Sequence, residues 1–298
     1  MGGEVLVYAE PEVRAALDMP SLIEAVERAF VAYSTGRAEL PSVIHLSVPE
    51  AGGEIHVKAG HLHGASHYAV KVSSGFYGRE PAAIDGLVLV FDATDGALAA
   101  LLLDNGYVTD ARTGAAGAVA ARHLAPERVD RVAVIGTGAQ AGYQLDALAC
   151  VRSFEQVRVW GRSPDRAERC VSDLRERPGL PEGATYDTAS TVREAVRDAN
   201  VVITCTASRE PLVEAGWLSP GAHVTALGSD AVEKQELDVG VLAAADVLVV
   251  DSRAQCARIG ELHHALDAGV VSSADDVAEL GEVAAGRRPG RTSDRQLT

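Results

Sequence analysis

Four apolar residues, Val132-Ala133-Val134-Ile135, run without a break into Gly136-Thr137-Gly138-Ala139-Gln140-Ala141 and then into a stretch of helical apolar periodicity reaching Val151. Few folds accept that order. The first glycine permits a tight turn and the second lets backbone approach a pyrophosphate. The small third residue keeps helix close to strand, with the helix N-terminal amides facing the phosphates. A glycine-rich turn alone is common, but here a strand precedes it, a helix follows, and a second β run, Gln156-Val157-Arg158-Val159-Trp160, comes about 20 residues on. That context marks a dinucleotide site. An NAD site carries an acidic residue after the second strand, for the ribose 2′-hydroxyl. This chain has Gly161-Arg162-Ser163 instead. A guanidinium and a hydroxyl suit a 2′-phosphate, so NADP(H) is favoured; NAD(H) stays possible if Arg162 merely stacks on adenine.

The same alternation continues on both sides of this motif. Pro164 to Arg177 reads as helix, Ala199 to Thr206, Val224 to Leu227 and Val247 to Val250 as β runs, which together indicate βαβ units and a parallel sheet. Ser190 to Ala199 reads as a solvated helix and Glu261 to Leu266 as a helix without assigned chemistry. Upstream the pattern differs. After an apolar run at Val5 to Ala9, Ser21-Leu22-Ile23-Glu24 forms a capping box opening a helix with Leu22, Ile23, Val26, Phe30 and Tyr33 on one face, ended by Gly36. Short β runs follow at Ile44 to Val48, Glu54 to Ala59, His67 to Ser73, Gly86 to Phe91 and Leu98 to Leu103, broken by turns such as Asp95-Gly96. They predict a mixed or antiparallel sheet. The Ala-rich stretch from Thr109 to Leu124, closed by Pro126, predicts a helix and places a domain boundary near Leu124. The expected fold is α/β: a Rossmann doubly wound parallel sheet plus an α+β domain.

Composition narrows the partners. With 27 Lys+Arg against 42 Asp+Glu, a net charge of −15 and no basic run, the chain is not expected to bind nucleic acid or an anionic membrane surface. No apolar run approaches the roughly 20 residues of a membrane span, and the first residues lack a basic and an apolar leader segment. The cytoplasm is the expected location. Cys150, Cys170, Cys205 and Cys256 are widely spaced without C-x-x-C and read as reduced. His56, His61, His63 and His67 crowd one stretch, but their spacing is not that of a zinc site, so no metal is expected. Lysine occurs only at positions 58, 71 and 234, by composition bias or because each has a task.

Several stretches resemble the ornithine cyclodeaminase/mu-crystallin family: Tyr68-Ala69-Val70-Lys71-Val72-Ser73-Ser74-Gly75; Leu103 through Ala116, with Asp104-Asn105-Gly106 and Arg112-Thr113-Gly114; the Gly136 loop; and Ala226-Leu227-Gly228-Ser229-Asp230 with Lys234-Gln235-Glu236-Leu237. Asn105-Gly106-Tyr107 and Glu54-Ile55-His56-Val57-Lys58 look most like the ectoine-utilisation branch. The resemblance implies hydride transfer at the carbon–nitrogen bond of a small amino or imino acid by an NAD(P)-dependent oxidoreductase that forms a homodimer. It implies residues 1–124, joined by 275–298, as the substrate-binding and dimerisation domain and 125–274 as the nucleotide domain. Lys71 matches the family's active-site lysine, Arg112 its carboxylate-binding arginine and Asp230 its catalytic aspartate. Cofactor contacts are implied for Thr113, Gly136, Thr137, Gly138, Ala139, Gln140, Arg162, Ser163, Thr206, Ala207, Leu227, Gly228 and Asp230. Members usually continue past the position of Thr298 into a further helix.

Chemistry supports the three central assignments. A lysine within an apolar β run is costly to bury without an anion, which a substrate carboxylate provides. Arg112 can fork to the same carboxylate, and Asp230 follows a strand end of the parallel sheet, where ligands dock. The alternatives are a snorkelling Lys71, a surface pair of Arg112 with Asp110, and an Asp230 that only caps its turn. Many members carry an arginine after a proline in the segment matching Pro41 to His45, whereas here no Arg occurs between Arg37 and Arg79. His45, His56 or Lys58 is expected to take that role, tilting the substrate toward an acidic or acylated imino acid. Two other functions fit the resemblance: a cyclodeaminase that retains NAD and releases ammonia, and a crystallin-like protein that binds NADPH without turnover.

Overall fold

The computed structural model describes residues 4–76 and 83–298. They form two compact units, divided between Arg112 and Thr113. The division lies inside a helix, not at its end, Leu124.

The first unit is built on one mixed sheet. Its strands are β1 (Leu6–Ala9), β2 (Ala38–Glu39), β3 (Ile44–Val48), β4 (Gly53–Leu62), β5 (His67–Phe76), β6 (Ala83–Asp92) and β7 (Leu98–Leu103). The order is β1-β7-β6-β5-β4-β2, with β3 also paired to β4; β1 runs parallel to β7 and the other pairs are antiparallel. Alternation along the strands sorts the side chains. In register, His45 faces His56, Lys58 faces Lys71 and His56 faces Ser73, so these polar groups share one face. Ile44, Leu46, Ile55, Val57, Val72 and Leu87 line the other.

Helices α1 (Glu10–Ala16) and α2 (Met19–Ser34) follow β1. The cap of α2 corrects the expected capping box at Ser21. Asp18 is the cap, its carboxylate accepting from Ser21 N at 3.0 Å, and Pro20 occupies the first turn, where a missing N–H costs nothing. The helix closes as expected, with Gly36 at φ +71° and its N–H donating to Tyr33 O. After β7, Asn105 and Gly106 both take positive φ, and the Asp104 carboxylate accepts from Val108 N at 2.7 Å. This turn starts α3 (Tyr107–Leu124) two residues before Thr109, which places Arg112 in its second turn.

The second unit contains β8 (Arg131–Ile135), α4 (Ala139–Ala149), β9 (Gln156–Trp160), α5 (Pro164–Glu176), β10 (Thr185–Thr188), β11 (Val201–Thr204) and β12 (His223–Ala226). The sheet is all parallel in the order β10-β9-β8-β11-β12, a doubly wound Rossmann arrangement. Both faces are covered. Val132 and Val134 belong to a core with Leu145, Val157 and Ile203, while Ala133 and Ile135 belong to another with Val196, Val202 and Val241. Double burial explains why β8 reads as an unbroken apolar run.

Residues 275–298, expected with the first unit, cluster with the second. Ala278–Glu279 pairs in parallel with Val249–Val250, Asp246 N donates to Leu297 O at 2.8 Å, and Arg291 reaches Gly221 O at 3.0 Å. No helix among the described residues is long and apolar enough to cross a membrane.

Candidate active site

The glycine loop sits where the chain's winding reverses, between the ends of β8 and β11. Gly136 has φ +135°, and a Cβ there would lie 2.7 Å from Cys205 Sγ and 2.8 Å from Cys205 O. Only glycine fits. Burial pushes the Cys205 thiol well above its ordinary value, so it stays un-ionised beside the loop. Gly138 differs. Its backbone is extended, and a Cβ would meet no atom of the chain within 4 Å, leaving that side of the loop open at the first turn of α4. An open glycine before the unpaired amides of an 11-residue helix is a cradle that fits a pyrophosphate. Across the loop, a Cβ on Gly161 would lie 2.6 Å from Thr137 Cγ2, so the end of β9 packs on the same turn. Arg162 is exposed, and the Ser163 hydroxyl oxygen caps α5, accepting from Arg166 N at 3.4 Å.

Thr206 and Ala207 follow β11, and Leu227 and Gly228 follow β12. The two loops are tied by Glu236, a fully buried carboxylate. It accepts from Thr204 Oγ1 (2.8 Å), Thr206 N (2.6 Å), Thr206 Oγ1 (2.7 Å) and Gly228 N (2.7 Å). Burial raises its pKa and the four donors oppose that rise. Asp230 lies two residues beyond Gly228. Its carboxylate is mostly exposed and receives the Lys234 ammonium at 2.5 Å. Lys234 O in turn accepts from His264 Nε2 at 2.8 Å.

In the first unit, Lys71 points from β5 toward the start of α3 and donates to Thr109 Oγ1 at 2.9 Å. Its pKa falls to about 8, first because it is largely buried and then because Arg112 and Lys58 lie near; Asp104 and Asp110 pull the other way. Lys71, Arg112 and Lys58 thus lie close enough to lower the Lys71 pKa together, with Asp104 and Asp110 beside them. His45, His56 and Lys58 share the face of Lys71.

The model of the ornithine cyclodeaminase/mu-crystallin family matches residues 4–298. The chain belongs to that family. An uncharacterized cyclodeaminase of Sinorhizobium fredii is 40% identical, over 98% of this chain and 88% of its own length. The alanine dehydrogenase of Archaeoglobus fulgidus is 33% identical, over 99% and 88%. Among solved structures, the Δ1-pyrroline-2-carboxylate reductase of Thermococcus litoralis, in complex with NADH and L-proline, superposes with a TM-score of 0.89 at 28% identity, covering 99% of this chain and 90% of that one.

Within this family member, several residues escape a reading of the sequence. Glu236 appears there only inside the Lys234 to Leu237 match, and its task shows once Thr204, Thr206 and Gly228 converge on it. Glu261 opens the helix Glu261–Asp267, which the sequence left without chemistry. Its two oxygens accept from Glu236 N (2.8 Å) and Leu237 N (3.1 Å), and burial lifts its pKa to about 7. Thr109 escapes too, although a hydroxyl three residues before Arg112, on a helix facing a lysine strand, is a usable signal. The histidines are not gathered as their crowding suggests. His56 and His61 are an odd number of residues apart on β4 and so fall on opposite faces. His63 lies 3.1 Å from Glu39, and His67 Nδ1 lies 2.9 Å from Ser66 Oγ.

Proposed function

We propose that this chain reduces the carbon–nitrogen double bond of a small imino acid, or oxidises the corresponding amino acid, with NADP(H) as its favoured dinucleotide. The observation that carries the reading is the anion-seeking cluster of Lys71 and Arg112 in a chain that also holds the Gly136 loop on a Rossmann sheet. Gly136 to Gln140 would receive the pyrophosphate and Arg162 with Ser163 the 2′-phosphate, while Thr113, Thr206, Ala207, Leu227, Gly228 and Asp230 complete the dinucleotide contacts. When bound, the nicotinamide supplies or accepts the hydride at the substrate α-carbon.

Lys71 and Arg112 hold the substrate carboxylate, an ammonium and a planar fork on one anion. Thr109 aims the ammonium by accepting a hydrogen bond from it. Asp230, positioned by Lys234, holds and moves the proton on the substrate nitrogen, the task a carboxylate serves in general acid–base catalysis. His45, His56 and Lys58 engage a second polar end, which favours an acidic or acylated imino acid.

The first unit takes the roles of substrate binding and dimerisation. The exposed Ile44 and Leu46, in register with Val57 and Ile55, give its sheet an apolar face suited to a second copy. Four free cysteines suit a reducing cytoplasm. Initial rates with a panel of imino acids, Δ1-pyrroline-2-carboxylate and iminosuccinate among them, and with NADH and NADPH in turn, test the proposal. The expected result is oxidation of the reduced cofactor, faster with NADPH. Ammonia released from a diamino acid with no net change in the nicotinamide absorbance would overturn it in favour of a cyclodeaminase.

A further inference from the structure

Two imidazoles and a carboxylate converge on the polar face of the first sheet. His45 on β3 and His56 on β4 are register partners, and Glu54 precedes His56 by two residues on the same face. His45 Nε2 lies 3.8 Å from one Glu54 oxygen and His56 Nε2 lies 3.8 Å from the other. The imidazole rings are 4.8 Å apart with planes tilted by 36°, and the three donor atoms all fall within 4.8 Å of one another. These separations are too long for hydrogen bonds among the three groups. They are close to what a small cation requires.

We propose that His45, Glu54 and His56 form a binding site for a divalent first-row transition ion of the zinc(II) or iron(II) class. Bonds of about 2.0–2.2 Å from such an ion put tetrahedral ligand atoms about 3.4 Å apart. With the three ligand atoms within 4.8 Å of one another, the widest pair needs to close by up to about 1.4 Å, which rotation about the side-chain torsions supplies. Exposure of 51%, 30% and 31% of the side chains of His45, Glu54 and His56 leaves room for that adjustment. Two neutral imidazoles and one carboxylate are also the donor set of catalytic zinc and non-haem iron sites, which keep coordination positions open. Lys58, next along the same face of β4, opposes a cation; Glu54 lies on the other side of His56 from it and supplies the compensating charge.

The location gives the ion a use, which rests on the function proposed above, although the site itself does not. His56 pairs with Ser73, two residues from Lys71 on the same face. Diagonal neighbours on a sheet are about 7–8 Å apart, the length of a short bifunctional acid. An ion bearing one net positive charge would therefore take an anionic oxygen at the far end of a substrate whose α-carboxylate Lys71 holds.

The test is a titration of the full-length, metal-depleted protein with Co²⁺, followed by displacement with Zn²⁺. The expected result is one equivalent bound, with the intense visible bands of four- or five-coordinate cobalt. His45→Ala and Glu54→Ala should each weaken binding by about tenfold or more, whereas His63→Ala in the turn after β4 should leave it unchanged. Thermal unfolding checks that the variants fold, and His45→Gln serves if His45→Ala does not. Failure to bind one equivalent, a spectrum like that of hydrated Co²⁺, or equal binding by the three variants overturns the site. Stoichiometric binding without any change in substrate KM retains the site and overturns its use on the substrate.

Discussion

Lys71 should impose an alkaline limit on substrate capture that is distinguishable from unfolding. With a pKa of about 8 it is about 90% protonated at pH 7 and about 10% at pH 9, so kcat/KM should fall about tenfold across that interval. The drop from the ordinary 10.5 amounts to at most about 3 kcal/mol of disfavoured charge, and to less once the solvent reaching a partly exposed ammonium is counted. Stability has the opposite sign. Between pH 8 and 10.5 the unfolded chain binds more protons at this residue than the folded one, so the Lys71 contribution to stability rises with pH as substrate capture declines.

A pH series of kcat/KM, with Tm recorded in the same buffers, separates the two effects. Lys71→Arg keeps its charge at every pH used and should abolish the limb while retaining partial activity. Lys71→Met should lose carboxylate binding, raise KM steeply and leave the fold as stable as wild type or more so at pH 7, since a buried charge has gone. A flat kcat/KM between pH 7 and 9, or the same limb in Lys71→Arg, would refute the reasoning and assign the Lys71 ammonium a structural role beside Thr109.

Other perturbations discriminate between the remaining roles. Asp230→Asn should lower kcat by about a hundredfold or more, with a far smaller change in the NADPH dissociation constant from calorimetry. Gly138→Ala should keep the wild-type Tm but weaken dinucleotide binding, whereas Gly136→Ala should lower Tm by several degrees because both its φ and the approach of Cys205 forbid a Cβ. Arg162→Ala should raise the KM for NADPH by more than that for NADH, and equal effects on both would remove the 2′-phosphate assignment. Glu236→Gln turns an amide toward donors on Thr206 or Gly228; a loss of about 2 kcal/mol or more in stability and a higher dinucleotide dissociation constant should follow in denaturation and calorimetry.

What could be read from the sequence divides by how far apart along the chain the information lies. The Gly136 loop is one contiguous segment whose neighbours are buried on both faces, so strand, turn and helix all announce themselves locally. β10 does not: Thr185–Thr188 contributes one buried side chain, Tyr186, at the sheet's edge, and a single apolar residue carries no period. The cap of α2 lies three residues ahead of Ser21: Ser21 with Glu24 mimics a box, but Asp18 ahead of Pro20 wins by taking the Ser21 amide that Glu24 would otherwise accept from.

The polar face of the first sheet is the furthest case. His45 and His56 are brought together by the β3–β4 register, Lys58 and Lys71 by the β4–β5 register, and a slip of one residue in either would send half of these groups to the apolar side. The sequence shows four crowded histidines and three scattered lysines; pairing sorts them. It splits His56 from His61, joins His56 to the distant His45, and sets Lys58 against Lys71 where two like charges should repel. That last pairing is unfavourable for the sheet by itself. With Arg112 nearby it would serve the carboxylate site proposed above, and the third lysine, Lys234, sits on Asp230. Each rare lysine therefore stands beside a residue to which the proposed mechanism gives a task.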